Sequence, residues 1–238
     1  MPRLDVLVTR SGLAESRERA QALIIAGKVR VAGETVRRPD RSVNDDAAIS
    51  VEEGPAYASR GALKLGPALA TFGVDPAGLV CADIGASTGG FTDVLLRRGA
   101  AKVYAIDVGR GLLHWRLRQD PRVVVIERVN ARELEEFAEP VSLIVIDVSF
   151  IGLEKVLPAM RHAAPEAEAV VLFKPQFQVG RQEVGKGGIV RDQGIIDSAI
   201  VTFRAWCQAN GYAVKAQAPS ELLGMDGNQE IFLDLVPL

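Results

Sequence analysis

The sequence has little of what metal centres and disulfide frameworks are made from. Its 238 residues include two cysteines and two histidines. Cys81 and Cys207 form no CxxC, and neither histidine stands at ligand spacing to a cysteine, so no metal site is expected. Cys81 lies in the apolar run LVCADIG, where a thiol packs as a small hydrophobe. No run of about 18 apolar residues occurs, which argues against a membrane-spanning helix. The opening MPRLDVLVTRSGLAESRERA lacks the basic-then-apolar pattern of a signal peptide, so a cytoplasmic protein with no membrane partner is expected. A net charge of −2 gives no overall cationic character. The 48% hydrophobic content still provides for a sizeable core.

What charge there is falls unevenly. Residues 1–41 carry nine basic side chains against five acidic ones in an otherwise acidic protein, and such a local basic face can bind phosphates. Leu13, Ala20, Leu23, Ile24 and Ala26 recur at helical spacing behind Ser11, a candidate N-cap, and Gly27 stops the helix. Residues 28–36 read as a hairpin turning at Ala32-Gly33, and a short strand follows at 48–51. The spacing predicts a small α+β module over residues 1–55, joined through a linker near residues 52–60 to a second domain over 56–238. In that domain apolar strands at 79–84, 103–106, 123–126, 143–146 and 169–173 alternate with helices at 89–98, 111–118, 132–137 and 153–162. This is the pattern of a parallel α/β sheet covered on both faces. A glycine-rich segment, 176–191, reads as a mobile loop. A helix at 195–208 and strands at 212–217 and 230–235 follow it.

The sharpest motif runs from Ala82 to Phe91, where an apolar strand ends and a helix begins. Asp83, Gly85, Ala86, Ser87, Thr88, Gly89, Gly90 and Phe91 are the candidate cofactor residues, because glycines there allow a tight turn and close backbone approach. Asp107, with Val108 beside it, ends the next strand 22 residues after Gly85, the distance at which a carboxylate meets the ribose of an adenosine ligand. The pattern is G-x-x-x-G-G preceded by an acid, not G-x-G-x-x-G. A carboxylate at that turn repels a pyrophosphate but suits the cationic amino-acid end of S-adenosylmethionine, so the loop favours that cofactor over NAD. A strand–helix turn that binds nothing, with Asp107 as a helix cap, is the alternative. Asn130 stands equally well for an adenine contact or an N-cap.

Lys64, Asp147, Lys174 and Glu230 are polar residues in apolar or tightly packed contexts. Asp147 and Lys174 end parallel strands, at the edge where α/β sheets place ligands. A ribose hydroxyl is a weak acid, so a base must take its proton as it attacks a sulfonium methyl. A lysine beside a second cation gives up its own proton more readily and can then serve. In this reading Lys174 is the base, Asp147 orients it and also borders the cofactor, Lys64 is the neighbouring cation, and Glu230 holds Lys64 or the ribose.

These segments together resemble the TlyA family of S4-domain, FtsJ-like rRNA 2′-O-methyltransferases, often called haemolysin A. The resemblance rests on RLDVLVTRSGLAESRERAQALIIAGKVRVAGETV, YASRGALKL, ADIGASTGGFTDVLLRRGA, VYAIDVG, DPRVVVIERVNAR, VIDVSFI and LFKPQFQVGRQEVGKGGIVRD, in the family's order. It implies a Rossmann-like methyltransferase sheet behind a small α+β S4 RNA-binding domain. It also implies a Lys-Asp-Lys-Glu tetrad at Lys64, Asp147, Lys174 and Glu230, and ribosomal RNA, or a ribosomal subunit, as substrate, at a cytidine. Ala62 departs from a glycine found in many members, and His114 from a more usual polar residue. Arg3, Arg17, Arg19, Gln21, Lys28 and Arg60 are the candidate RNA contacts, and Arg181, Lys186 and Arg191 stand in the loop that would close over RNA. The alternative is a catalytically inactive S4/Rossmann ribosome-assembly factor. A pore-forming toxin finds no long amphipathic segment to support it.

Overall fold

The computed structural model describes residues 1–51 and 57–238. The chain divides into two compact units, Met1–Ala56 and Tyr57–Leu238. The expected boundary at 55/56 and the first part of the expected linker lie outside the described residues.

The first unit contains α1 (Leu4–Arg10), α2 (Arg17–Ile25), β1 (Val29–Val31), β2 (Glu34–Val36) and β3 (Ile49–Val51). Its antiparallel sheet has the order β2-β1-β3. Leu4, Leu7 and Val8 form one stripe of α1 and pack with Ala20, Ile24, Val29, Val31 and Val36. The single helix expected behind Ser11 is a correction. Ser11 ends α1, and Gly12 follows at φ +70°, a conformation that stops a helix. The N-cap of α2 is Ser16, whose hydroxyl accepts the Arg19 N–H at 3.2 Å. The hairpin turns at Ala32 and Gly33, both at positive φ, as a two-residue turn between twisted strands requires.

The second unit contains α3 (Ala62–Phe72), β4 (Val80–Ile84), α4 (Gly90–Arg97), β5 (Lys102–Asp107), α5 (Trp115–Arg118), β6 (Val123–Glu127), β7 (Leu143–Ile146), α6 (Leu157–Ala163), β8 (Glu168–Phe173), α7 (Pro175–Gln178), α8 (Gln193–Ala209), β9 (Tyr212–Pro219) and β10 (Ile231–Pro237). The strands form one mixed sheet in the order β6-β5-β4-β7-β8-β10-β9. Period-two alternation sorts side chains to two cores. Ala82, Ile84, Tyr104 and Ile106 face one core with Leu157, Met160, Ile196 and Phe203. Cys81, Val103, Ala105 and Val145 face the other with Leu65, Leu69, Val94 and Leu95.

The five strands expected to run parallel do so, and β10 joins them antiparallel to both β8 and β9. Several expectations change here. The helix expected at 132–137 is a single 3-10 turn, Ala131–Glu133; six residues rich in exposed glutamate are too few to repay helix nucleation. The helix expected at 111–118 shrinks to α5, because Gly111 takes φ +68° and His114 supplies the cap. The segment 176–191 begins inside α7. The helix α3 was not foreseen, since Gly66-Pro67 reads as a breaker, yet Pro67 lies within it.

Gly85 sets the spacing at the centre of the sheet. It takes φ +83°, and a Cβ there would stand 2.4 Å from the Asp147 carbonyl oxygen. Gly85→Ala should therefore cost about 2–4 kcal/mol in urea unfolding. A stability equal to the wild type would show that the β4 and β7 ends do not need this close approach.

Candidate active site

The charged residues of the second unit collect at one edge of the sheet because neighbouring strands end there. In spatial order that edge presents Asp107 at the end of β5, Asp83 and Gly85 at β4, Asp147 just beyond β7 and Lys174 just beyond β8. β8 and β10 are in register with Phe173 opposite Ile231, so Lys174 and Glu230 are the next opposed positions. Antiparallel β10 thus brings its first end to the edge where the parallel strands finish. Residues scattered over 166 positions meet this way: Lys64 Nζ, carried on α3, lies 2.5 Å from Glu230 Oε2.

Lys174 is buried and makes two contacts. Its Nζ lies 2.6 Å from Asp147 Oδ1 and donates to Ser149 Oγ at 2.9 Å. The four tetrad residues therefore form two ion pairs, Lys64–Glu230 and Lys174–Asp147. Lys64 is balanced by its own carboxylate and does not stand as a lone cation beside Lys174. Ser149 was not foreseen, although its place in the strand-end sequence IDVSF is a usable signal.

A cavity of about 410 Å³ opens beside this row, lined by Gly85, Ser87, Asp107, Val108, Asn130 and Asp147 among others. That volume suits a small-molecule cofactor. Asp107 is fixed by backbone donors, Ser87 N at 2.8 Å to Oδ2 and Gly109 N at 2.7 Å to Oδ1. A carboxylate has about four acceptor sites, so Asp107 keeps capacity for a diol. Asn130 caps the 3-10 turn, its Oδ1 accepting Arg132 N–H at 3.2 Å, and also lines the cavity.

The rest of the predicted loop also makes contacts within the protein. Ala86 is buried, and the Thr88 carbonyl accepts His114 N–H. A Cβ on Gly89 would meet Leu113 and Leu117, and one on Gly90 would meet Ser59 Oγ and Ala62 N. Phe91 packs 6.1 Å from Phe232, centroid to centroid. These glycines make room for neighbouring elements.

Asp83 is sealed beneath the loop. Its Oδ2 accepts both Thr92 N–H at 2.8 Å and Thr92 Oγ1–H at 2.6 Å, which fastens the start of α4 to β4. Its Oδ1 has no hydrogen-bond partner among the described residues. Burial pushes this carboxyl up to about 7; the Thr92 hydrogen bonds oppose the shift, and the charges of Asp147 and Asp107 add to it. Three carboxylates converging on one loop with one oxygen unpaired fit a cationic ligand and not an anionic one.

Phe150 is a further residue that pattern reading missed. It lines the cavity, is 91% exposed and takes φ +65°. Its ring packs on Phe177 of α7 at 5.2 Å between centroids. An exposed aromatic in a strained backbone position marks a site of use.

In the first unit, Arg3, Arg17 and Gln21 converge on Asp5, while Arg19 is exposed and Lys28 half-buried. In the second unit Arg60 is exposed. Among the described residues no group of three or more His, Cys, Asp or Glu could hold a metal ion, and no helix is long and apolar enough to cross a membrane.

The Asp83 carboxyl makes stability depend on pH. Between about pH 4 and 7 the folded chain holds a proton here that the unfolded chain has lost, so this group's contribution falls as pH rises through that window. Asp83→Asn should therefore gain on the wild type by about 2–4 kcal/mol between pH 4 and pH 8. Parallel stability curves for the two proteins would refute the shift.

Residues 57–235 match the FtsJ-like methyltransferase family and residues 2–49 match the S4 domain. The chain is 48% identical over 236 residues to the 16S/23S rRNA (cytidine-2′-O)-methyltransferase TlyA of Mycobacterium tuberculosis, covering 97% of this chain and 88% of that one. It is 45% identical over 206 residues to Hemolysin A of Brachyspira hyodysenteriae, covering 83% and 86%. A solved structure of a hemolysin-named protein from Streptococcus thermophilus superposes with a TM-score of 0.75 at 41% identity, covering 99% of this chain and 88% of that one. With both domain matches in place and a TlyA relative 48% identical over 97% of this sequence, the chain belongs to the TlyA family of S4-fused, FtsJ-like methyltransferases.

Proposed function

We propose that this protein transfers a methyl group from S-adenosylmethionine to a ribose 2′-hydroxyl of ribosomal RNA, at a cytidine, with Lys174 as general base. The observation that carries the reading is the Lys174–Asp147 pair standing in the same strand-edge row as the acid-lined cavity. The relatives named as rRNA cytidine-2′-O-methyltransferases support the substrate class.

The chemistry of the cavity fits the cofactor. Asp107 and Asp147, which line the cavity, with Asp83 buried beneath the loop, would complement a ligand with a sulfonium and an ammonium group, and Gly85, Ser87, Val108 and Asn130 would hold the remainder. When bound, S-adenosylmethionine supplies an electrophilic methyl on a cationic sulfur. Lys174 would act as the base, its Nζ taking the 2′-hydroxyl proton as the oxygen bonds to the methyl carbon and the methyl–sulfur bond breaks with its electron pair going to sulfur, and the proton would then pass to solvent. Asp147 and Ser149 fix the position of Nζ. The Lys64–Glu230 pair fastens α3 to the start of β10, opposite Lys174. Phe150 offers a face on which the target base stacks. Arg3, Arg17, Arg19 and Lys28 supply phosphate contacts that position the RNA without reading its sequence, and Arg60 would add one from the second unit.

Tritiated methyl transfer to unmodified 30S, 50S and naked rRNA tests the reading. Label should enter one alkali-resistant nucleotide, and Lys174→Ala should lower the rate about 10²–10⁴-fold. No transfer on any substrate, despite cofactor binding, would favour an assembly factor instead. Phe150→Ala should weaken RNA engagement by about 1–3 kcal/mol, seen in KM for RNA and not for the cofactor. An unchanged KM for RNA removes the stacking role.

A further inference from the structure

The first unit buries a carboxylate in a place where packing asks for none. Asp5 lies on α1 beside the core residues Leu4, Leu7 and Val8, and it is fully buried. Its donors arrive from half-exposed or exposed side chains. Arg3 Nε and Nη2 reach Oδ1 and Oδ2 at 3.1 Å each. Arg17 Nε reaches Oδ2 at 3.0 Å, and Gln21 Nε2 reaches the same oxygen at 2.8 Å. Val6 N–H donates to Oδ1 at 2.9 Å. Arg17 and Gln21 stand four apart on α2, one turn of one face.

Asp5 therefore gathers two guanidinium groups around one point. The Arg3 side chain remains 46% exposed and that of Arg17 51% exposed. Nη1 of Arg3 and both Nη atoms of Arg17 are not used by Asp5. Two guanidinium groups around Asp5 leave one unit of positive charge, and the other acid acting on Arg3, Asp40, is itself paired with Arg38; fork-shaped donors held beside each other suit the oxygens of a phosphate. The hydrogen bond from Arg3, with those from Gln21 and Arg17, holds the Asp5 carboxyl well below the usual carboxylate range, so the clamp keeps its charge at physiological pH.

We propose that Asp5 is a positioning residue that holds Arg3 and Arg17 as one clamp for a single RNA backbone phosphate. Gln21 acts with it, as an anchor of the carboxylate and not as an RNA contact. The proposal rests on the reading of the first unit as RNA-binding, and adds that two of its arginines act as one unit through a buried acid.

The test is binding of a fluorescein-labelled RNA stem-loop to the full chain over a range of KCl, followed by anisotropy. Asp5→Asn should weaken binding about tenfold in the wild-type background. In an Arg3→Gln/Arg17→Gln background it should change binding less than about twofold. That arginine pair should lower the slope of log affinity against log salt by about 0.7–0.9, one phosphate and not two. Gln21→Ala, a substitution on the half-exposed face of α2, should weaken binding only while both arginines are present; it serves if Asp5→Asn loses its circular-dichroism signature of folding. Equal penalties with and without the arginines, or a slope loss of two phosphates, would overturn the clamp. A wild-type chain that does not bind the stem-loop would overturn the RNA-binding reading and the clamp with it, an outcome distinct from binding without coupling.

Discussion

The Asp83 carboxylate, sealed under the loop between β4 and α4, is the group on which the methyltransferase unit depends. One oxygen fastens the helix start through Thr92, and the other has no partner among the described residues. A buried unpaired acceptor costs stability in the free protein. The neighbouring strands repeat the theme. Asp107 is fixed by two backbone N–H groups, and Asp147 is placed by the close approach of its carbonyl to Gly85. The backbone thus sets where negative charge lies before any ligand is present, which is how a site stabilises charge without reorganising.

Much of this was legible in the residues. The strands of the second unit are short apolar runs, and a run buried on both faces is the clearest signal a parallel sheet gives. The glycine loop announced itself because Gly85 and Gly89 take backbone conformations that other residues rarely hold. What failed was mostly local. Ser11 is a good cap by residue type, yet it ends α1 and the left-handed Gly12 follows it, so the cap of α2 falls to Ser16. α3 hides behind Gly66-Pro67 because tertiary contacts, including the Arg98 Nη2 hydrogen bond to the Gly66 carbonyl, outweigh a weak local preference.

Long-range pairing is where sequence reading runs out. The tetrad residues could be named singly, yet their division into Lys64–Glu230 and Lys174–Asp147 follows from strand order and from antiparallel β10, which no local pattern encodes. The same holds for Asp5. As one acid among arginines it reads as a charge that dilutes a basic face, whereas the fold makes it the point that draws two arginines and a glutamine together. In both units a buried carboxylate directs where exposed charge will stand.

The placement of β10 also bears on how the protein is made. β10 follows β9 in the chain but is inserted between β8 and β9 in the sheet. While the ribosome is still translating residues before 237, the edge of β8 lies open, with its backbone donors and acceptors uncovered and prone to pair with another chain. Glu230 arrives with the same segment, so Lys64 waits through most of synthesis for the carboxylate that balances it. A nascent chain stalled before this strand would carry the whole glycine loop and still lack a finished site, and its open β8 edge gives a chaperone something to hold.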